Sequence, residues 1–380
     1  MGTDHKPAIV IVDNSVAITG ALKAIVNSTS KLTSEFNFLY VLPENSKALP
    51  FLQSLQLNYK TIPFIEISKD PVNLVKYFPF LILNGIRLRK IARQHKAKVI
   101  HMNDFYNLTG IMAKILGANV VLITHVRFLP QKFMPALANT WAKLNLQFAT
   151  KIICVSNAVK TFFPKSDKTL VIYDPLPERE VLPSKERLIQ QTSPVRLLYL
   201  SNFIKGKGQD YALEAFKKAY EKDKSLHLTF AGGDMGLEKN RVFKNGLIEE
   251  VTKENLKNVV KFREFVEDVE GAIKEADIVL NFSESESFSL TCLDALFFGT
   301  PLIATDCGGP AELFENDKSG LLVPNKNVEA MTSAILQLAK DREKQLAFAK
   351  ESRRYVREKF NAKNTYLNLG KLYREIVSPN

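Results

Sequence analysis

From Ala276 to Leu313 the hydrophobic pattern changes period twice. Ala276–Asn281 is an apolar run of strand length. Leu290, Leu293, Ala295, Leu296 and Phe297 then fall on helical spacing and stop at Gly299, a residue suited to closing a helix. Leu302–Thr305 reads as another buried strand, and Gly308-Gly309-Pro310 as the turn after it. The order strand, loop, helix, strand admits few architectures: it predicts an α/β unit built on a parallel sheet. It also sets a loop against a helix N-terminus. There the unpaired backbone N–H groups and the positive end of the helix dipole favour an anion.

Two carboxylates border that terminus, Glu286 before it and Asp294 one turn inside. Acids beside an anion pocket do not suit a bare phosphate. A phosphate carrying polyols resolves the conflict, because carboxylates accept hydrogen bonds from vicinal hydroxyls. A nucleotide-sugar has such hydroxyls on both sides of a diphosphate. The plainer reading is that the two acids cap and solvate the helix.

The order of the surrounding residues decides between these. The run Glu286-Ser287-Phe288-Ser289-Leu290-Thr291-Cys292-Leu293-Asp294-Ala295, followed by Gly299, Pro301, Gly308, Gly309 and Glu312, resembles the Glu-x7-Glu signature of family-4 retaining glycosyltransferases of the GT-B fold. Three departures stand out. The second acid is Asp294, one methylene shorter than the usual Glu, and Ser287 and Ser289 replace the glycines usual beside Phe288. Serine still offers its backbone N–H, in a tighter pocket that gains hydroxyls, which points to variation in the sugar accepted.

Composition is compatible with such an enzyme. At 380 residues and 46% hydrophobic, the chain supports two domains, each with its own core. No apolar run approaches the ~18–20 residues that span a bilayer. The opening residues carry no leader-like pattern, and Cys154, Cys292 and Cys307 match no disulfide or zinc spacing, so a reducing cytoplasm is the expected setting. Charge is one-sided. Residues 1–177 hold 21 Lys and Arg against 9 Asp and Glu, whereas the remainder holds 31 of each. A basic half of this kind suits nucleic acid, anionic lipid or a phosphorylated substrate.

In the first half, strands are expected at 7–13, Phe36–Leu42, Thr61–Ile67, Val99–Asn103, Val120–His125, Lys151–Asn157 and Leu170–Tyr173, with Ser156 or Asn157 capping a helix. Gly20 is what remains of a glycine-rich loop that faces the donor diphosphate and the acceptor in the resembled family. It forms neither a Walker loop nor a GxGxxG turn. Residues 71–98 join an apolar stretch to Arg87, Arg89, Lys90, Arg93, Lys96 and Lys98. Two readings stand: Tyr77, Phe78, Phe80, Leu81 and Ile82 dip into an anionic lipid surface, or Leu81, Ile82, Ile86 and Ile91 face a core. Pro79 and Gly85 argue against one smooth helix. His101, Asn103 and His125 sit at strand carboxyl ends, where open α/β sheets collect ligands. Arg127 follows, within reach of an acceptor phosphate. The resemblance implies that His125 lines the reacting cleft.

Residues 178–194 are charged, Gln-rich and Pro-punctuated, and read as a linker. Val195–Leu200 then leads through Ser201–Gly208 into a helix carrying Ala212, Leu213, Ala215 and Phe216, a strand, basic loop and helix suited to phosphate. Lys207-Gly208 matches the family pattern. Asn202 stands where Arg is usual, with Lys205 as the substitute cation. Further strands are expected at Leu226–Asp234, Asn258–Phe262 and Lys318–Val323, with Phe265 in the loop that holds the base through backbone contacts in similar enzymes.

The expectation is therefore an α/β GT-B fold, two Rossmann-like domains facing across a cleft. Residues 1–177 would bind the acceptor and 195–358 the nucleotide-sugar, with the helix at 361–377 packing back on the first domain. The resemblance implies a retaining transfer from a UDP- or GDP-sugar to a glycan or lipid-linked hydroxyl, with no metal or cofactor and no nucleic-acid partner. An anionic membrane surface would be a second partner, met peripherally from the cytoplasm. In this scheme Lys207 takes the diphosphate with backbone N–H groups near Phe288, Ser289 and Leu290, Asp294 takes ribose hydroxyls, and Glu286 those of the donor sugar. Two other classes share the fold: a nucleotide-sugar epimerase, which needs no acceptor, and a non-catalytic nucleotide-sugar-binding subunit.

Overall fold

The computed structural model describes residues 6–65, 71–176, 194–264, 266 and 268–378. Phe265 and nearly all of the 178–194 linker lie outside them. The chain separates into two compact units, Met1–Pro177 with Ala362–Asn380, and Glu178–Asn361.

The first unit is built on β1 (Ala8–Val12), β2 (Asn37–Pro43), β3 (Tyr59–Ile62), β4 (Ala97–Met102), β5 (Val121–Val126), β6 (Lys151–Cys154) and β7 (Thr169–Val171). Among them run α1 (Gly20–Ser30), α2 (Leu49–Ser54), α3 (Pro71–Gln94), α4 (Thr109–Ile115), α5 (Pro135–Phe148) and α6 (Asn157–Lys160). The strands pair in parallel in the order β3-β2-β1-β4-β5-β6-β7. Strands such as Ile9-Val10-Ile11-Val12 are buried throughout, as a parallel sheet covered on both faces requires. Strand order reverses between β1 and β4, and ligands of such sheets bind at that reversal. Val12 pairs with Met102, and Met102 with Thr124. Asp13, Asn103 and His125 therefore leave the sheet side by side. Ser156 caps α6 as expected, accepting from the Val159 N–H.

Three expectations fail here. The third strand spans Tyr59–Ile62 rather than Thr61–Ile67, because Pro63 has no N–H to continue the ladder; residues 66 and 67 lie outside the described set. α3 is one helix straight through Pro79. A proline in a helix interior costs ~3 kcal/mol, and packing offsets it: Tyr77, Leu81, Asn84, Leu88 and Ala92 form one buried face at helical spacing. Gly85 lies on that face, where an added Cβ would meet Met112 of α4 at 2.5 Å. It permits close helix contact instead of breaking the helix. Ile82 and Ile86 stay exposed, so the all-inward alternative fails too.

The second unit holds β8 (Val195–Leu200), β9 (Leu226–Ala231), β10 (Val260–Arg263), β11 (Ile278–Asn281), β12 (Leu302–Thr305) and β13 (Leu321–Val323), parallel in the order β10-β9-β8-β11-β12-β13. Its helices are α7 (Gln209–Lys222), α8 (Glu238–Lys253), α9 (Val269–Glu275), α10 (Leu290–Phe298), α11 (Val328–Lys340) and α12 (Arg342–Lys359). Here the reversal falls between β8 and β11. The last helix, α13 (Ala362–Val377), joins the first unit, where Leu369, Leu372 and Tyr373 complete the core over β1, β2 and β4.

Candidate active site

In the second unit, the loops leaving β8 and β11 meet at the reversal point. Lys207 comes from the first loop and Glu286 from the second, and their charged groups touch at 2.7 Å, Nζ to Oε1. Ser283 binds both sides: its hydroxyl lies 3.1 Å from Glu286 Oε1 and 3.2 Å from the Lys207 carbonyl. Tyr199, near the end of β8, donates its buried hydroxyl to that carbonyl and accepts from the Phe282 N–H. Gly208 sits at φ +84°, and a Cβ there would lie 2.0 Å from the Phe282 carbonyl oxygen. Only glycine lets the two loops close to this distance. Burial alone would depress the Lys207 pKa, but the charge and hydrogen bond of Glu286 prevail and hold it above the ordinary lysine value. The lysine is a fixed cation at neutral pH.

α10 begins beside Glu286. Ser289 is its N-cap, its hydroxyl accepting from the Cys292 N–H and from the Asn281 amide. Ser289 also has φ +79°, a left-handed conformation that costs a non-glycine residue ~1–2 kcal/mol. Glu286 bridges to Gly308 through backbone, donating to the Cys307 carbonyl and accepting from the Gly309 N–H, which fixes the approach to the helix. A rigid helix N-terminus thus stands next to one cation and one carboxylate.

In the first unit, the strand carboxyl ends carry a buried polar chain. Asn103 donates to Asp13 (2.6 Å) and accepts from Arg127 Nε (3.0 Å). Arg127 also pairs with Asp174, and its Nη2 lies 3.2 Å from His125 Nδ1. A guanidinium only donates, so His125 Nδ1 accepts and the proton of the neutral ring resides on Nε2. That Nε2 is buried and finds no partner among the described residues. Burial first, then the charge of Arg127, push the His125 pKa well below 6.5. His125 is thus a neutral donor, not a base. Its ring stacks on that of His101, with centroids 5.5 Å apart.

Both halves of the chain match family models. Residues 42–174 match "Glycosyltransferase Family 4" and residues 184–355 match "Glycosyl transferases group 1". The chain belongs to glycosyltransferase family 4. Among curated relatives, N-acetyl-alpha-D-glucosaminyl L-malate synthase of Bacillus anthracis is 22% identical over 350 residues, 87% of this chain and 88% of that protein. The O-antigen biosynthesis glycosyltransferase WclY of Escherichia coli is 25% identical over 316 residues, covering 78% and 77%. Of solved structures, Anabaena HepE in complex with UDP-glucose superposes with a TM-score of 0.81 at 19% identity, covering 97% of this chain and 99% of that one. At that identity the likeness shows the fold, which is GT-B with two Rossmann-like domains.

Against this family frame the expected residues fall as follows. Lys207 and Glu286 are brought together, and Ser289, Leu290 and Asp294 share the first turns of α10. Phe288 is buried with its ring 5.6 Å from that of Phe360, so it can offer a ligand only backbone. Asn202 is exposed and accepts from the Gly233 N–H at 3.3 Å, pinning the turn after β9. Gly20 is the exposed first residue of α1, behind its Thr19 cap. Phe265 lies outside the described residues.

Two expectations need correction. Arg127 is not held out toward an acceptor phosphate, because Asp174, Asn103 and His125 consume its donors in a buried cluster. His101 does not face a crevice; it is fully buried and shares a 2.6 Å hydrogen bond with Tyr373 of α13. Sequence reasoning missed Tyr199 and Ser283. Tyr199 hides in an apolar strand that reads as pure core, and Ser283 is one of several serines in its loop.

Proposed function

We propose that this glycosyltransferase moves a sugar, with retention of configuration, from a UDP- or GDP-sugar to an acceptor hydroxyl in cell-surface polysaccharide or glycolipid assembly. The observation that carries the reading is the Lys207–Glu286 pair at the N-terminus of α10. A leaving diphosphate needs preorganised positive charge, and here a lysine and free helix N–H groups supply it without moving. Binding the diphosphate would release Glu286 from Lys207 to take the donor-sugar hydroxyls, with Asp294 on the ribose. His125, as a neutral N–H donor, would contact the donor sugar at the reacting face. On this reading no metal is required, since Lys207 and the helix terminus neutralise the leaving group.

Two lines support the wider setting. WclY is by name an O-antigen biosynthesis enzyme, and HepE has been crystallised with UDP-glucose. Val75, Phe78, Ile82 and Ile86 form an exposed apolar stripe on α3 beside its basic residues, which suits peripheral attachment to an anionic membrane from the cytoplasmic side. Among the described residues no helix is long and apolar enough to cross a membrane.

The test is a thermal-stability screen of nucleotide-sugars, followed by turnover of the best stabiliser with lipid-linked acceptors and NMR of the product's anomeric configuration. Transfer with retention, unaffected by EDTA, is expected. An altered nucleotide-sugar formed without acceptor would identify an epimerase, and binding without any turnover a non-catalytic subunit. Inverted product would overturn the retaining assignment.

A further inference from the structure

One hollow in the first unit lies away from the strand carboxyl ends. It opens at the opposite edge of the sheet, where β1, β2, β4 and β5 begin, and has a volume of about 580 Å³. Lys6, Arg89, Arg93, His95, Lys96 and Lys98 line it, and among the described residues no Asp or Glu does. We propose that this cavity is a binding site for a phosphate-bearing ligand, distinct from the donor site and independent of the transferase reading.

The arginines carry the case. Among the described residues of this unit, Arg87 pairs with Glu44 (3.3 Å), Arg127 with Asp174, and Arg374 with Glu35 (2.7 Å). Arg89 and Arg93 make no such pair, and both line the hollow. They are one helical turn apart on α3, so their guanidiniums project to the same side. Arg89 lies over Gly117, where a Cβ would be 3.9 Å from its Nη2, so the far wall is open backbone. Part of this charge complements the C-terminus of α3, but a helix end carries only about half a negative charge. Several cations remain uncompensated.

Unpaired arginines around a concavity favour phosphate oxygens, which they bind bidentately. The volume exceeds what one phosphate needs and falls in the range of small-molecule sites. A phosphorylated metabolite and the headgroup of an anionic phospholipid share this chemistry. The apolar stripe on the same helix makes the second source a physical option.

Calorimetric titration with inorganic pyrophosphate separates this site from the donor site. The wild type should show two classes of binding. Arg89→Gln/Arg93→Gln should weaken one class about tenfold or more, and Lys207→Ala should weaken the other. The charge-matched control Lys132→Gln/Lys143→Gln should change neither. Sedimentation with phosphatidylglycerol vesicles, against phosphatidylcholine, identifies the source. If the Arg89/Arg93 variant loses vesicle binding while the control keeps it, the site takes a lipid headgroup; if only pyrophosphate binding falls, it takes a soluble phosphate. Equal behaviour of the variant and the control in both assays overturns the proposal.

Discussion

Lys207 Nζ and Glu286 Oε1 stand 2.7 Å apart although 79 residues separate them in the chain. Each leaves one of the two strands at the reversal of strand order, so the fold and not local sequence creates the contact. Lys207→Ala and Glu286→Ala should each lower transfer by ~10²-fold or more, with unchanged circular dichroism. Because the two groups touch, the double variant should lose far less than the product of the single losses. Near-normal rates in both single variants would remove the site assignment.

Gly208 tests the loop that carries the lysine. Gly208→Ala puts a methyl group into the Phe282 carbonyl and forces a left-handed alanine. The expected result is a melting temperature lowered by several degrees and weaker nucleotide-sugar binding, measured by thermal shift. Since the obstacle is backbone, no rotamer change relieves it.

Two buried groups of the first unit, His101 and Asp104, make stability depend on pH in opposite senses. Burial, then the charge of Arg127, push the His101 pKa from 6.5 down to about 3. The unfolded chain takes up this proton near pH 6.5 and the folded chain only near 3, so acidification across that window favours unfolding. At pH 5 the cost is about 2 kcal/mol. His101→Gln should therefore lose correspondingly less stability than the wild type between pH 7 and pH 5 in denaturant titrations.

Asp104 acts in the other direction. Burial raises its pKa from 3.8 to about 8, aided by the charge of Asp13 and opposed by hydrogen bonds from Tyr106 and Phe105. The unfolded chain releases this proton near 3.8 and the folded chain near 8, so stability falls as pH rises between them. Asp104→Asn keeps the acceptor for the Phe105 N–H and removes the titration. Its stability relative to wild type should climb steadily from pH 5 to pH 8; a flat difference would show that Asp104 is ionised in the folded state.

Tyr373→Phe should destabilise the first unit by about 1–3 kcal/mol, read from urea unfolding. It strips the hydrogen bond from His101 Nδ1 in a ring whose Nε2 already lacks a partner among the described residues.

Where the signal was local, the sequence was a sound guide. β8 at Val195–Leu200, β12 at Leu302–Thr305 and α10 closing at Gly299 fall where period and cap residues put them. Lys207 and Glu286 were legible because each sits in a short strand–loop–helix pattern. The Asp13–Asn103–Arg127–Asp174 chain was not. Its members come from the ends of different strands, and nothing near Asp174 in sequence announces that it neutralises Arg127. Pro79 misled for a related reason. Its cost is local and visible, whereas the packing of α3 on α4 that outweighs it is not.

Tyr373 and its neighbours on α13 carry one more consequence. As the chain leaves the ribosome, the residues of β1 emerge early, yet the core over them stays open until the segment around Leu369–Tyr373 has been translated. The amino-terminal half is thus the last to be finished, and a premature stop after Asn361 would cripple the unit encoded first.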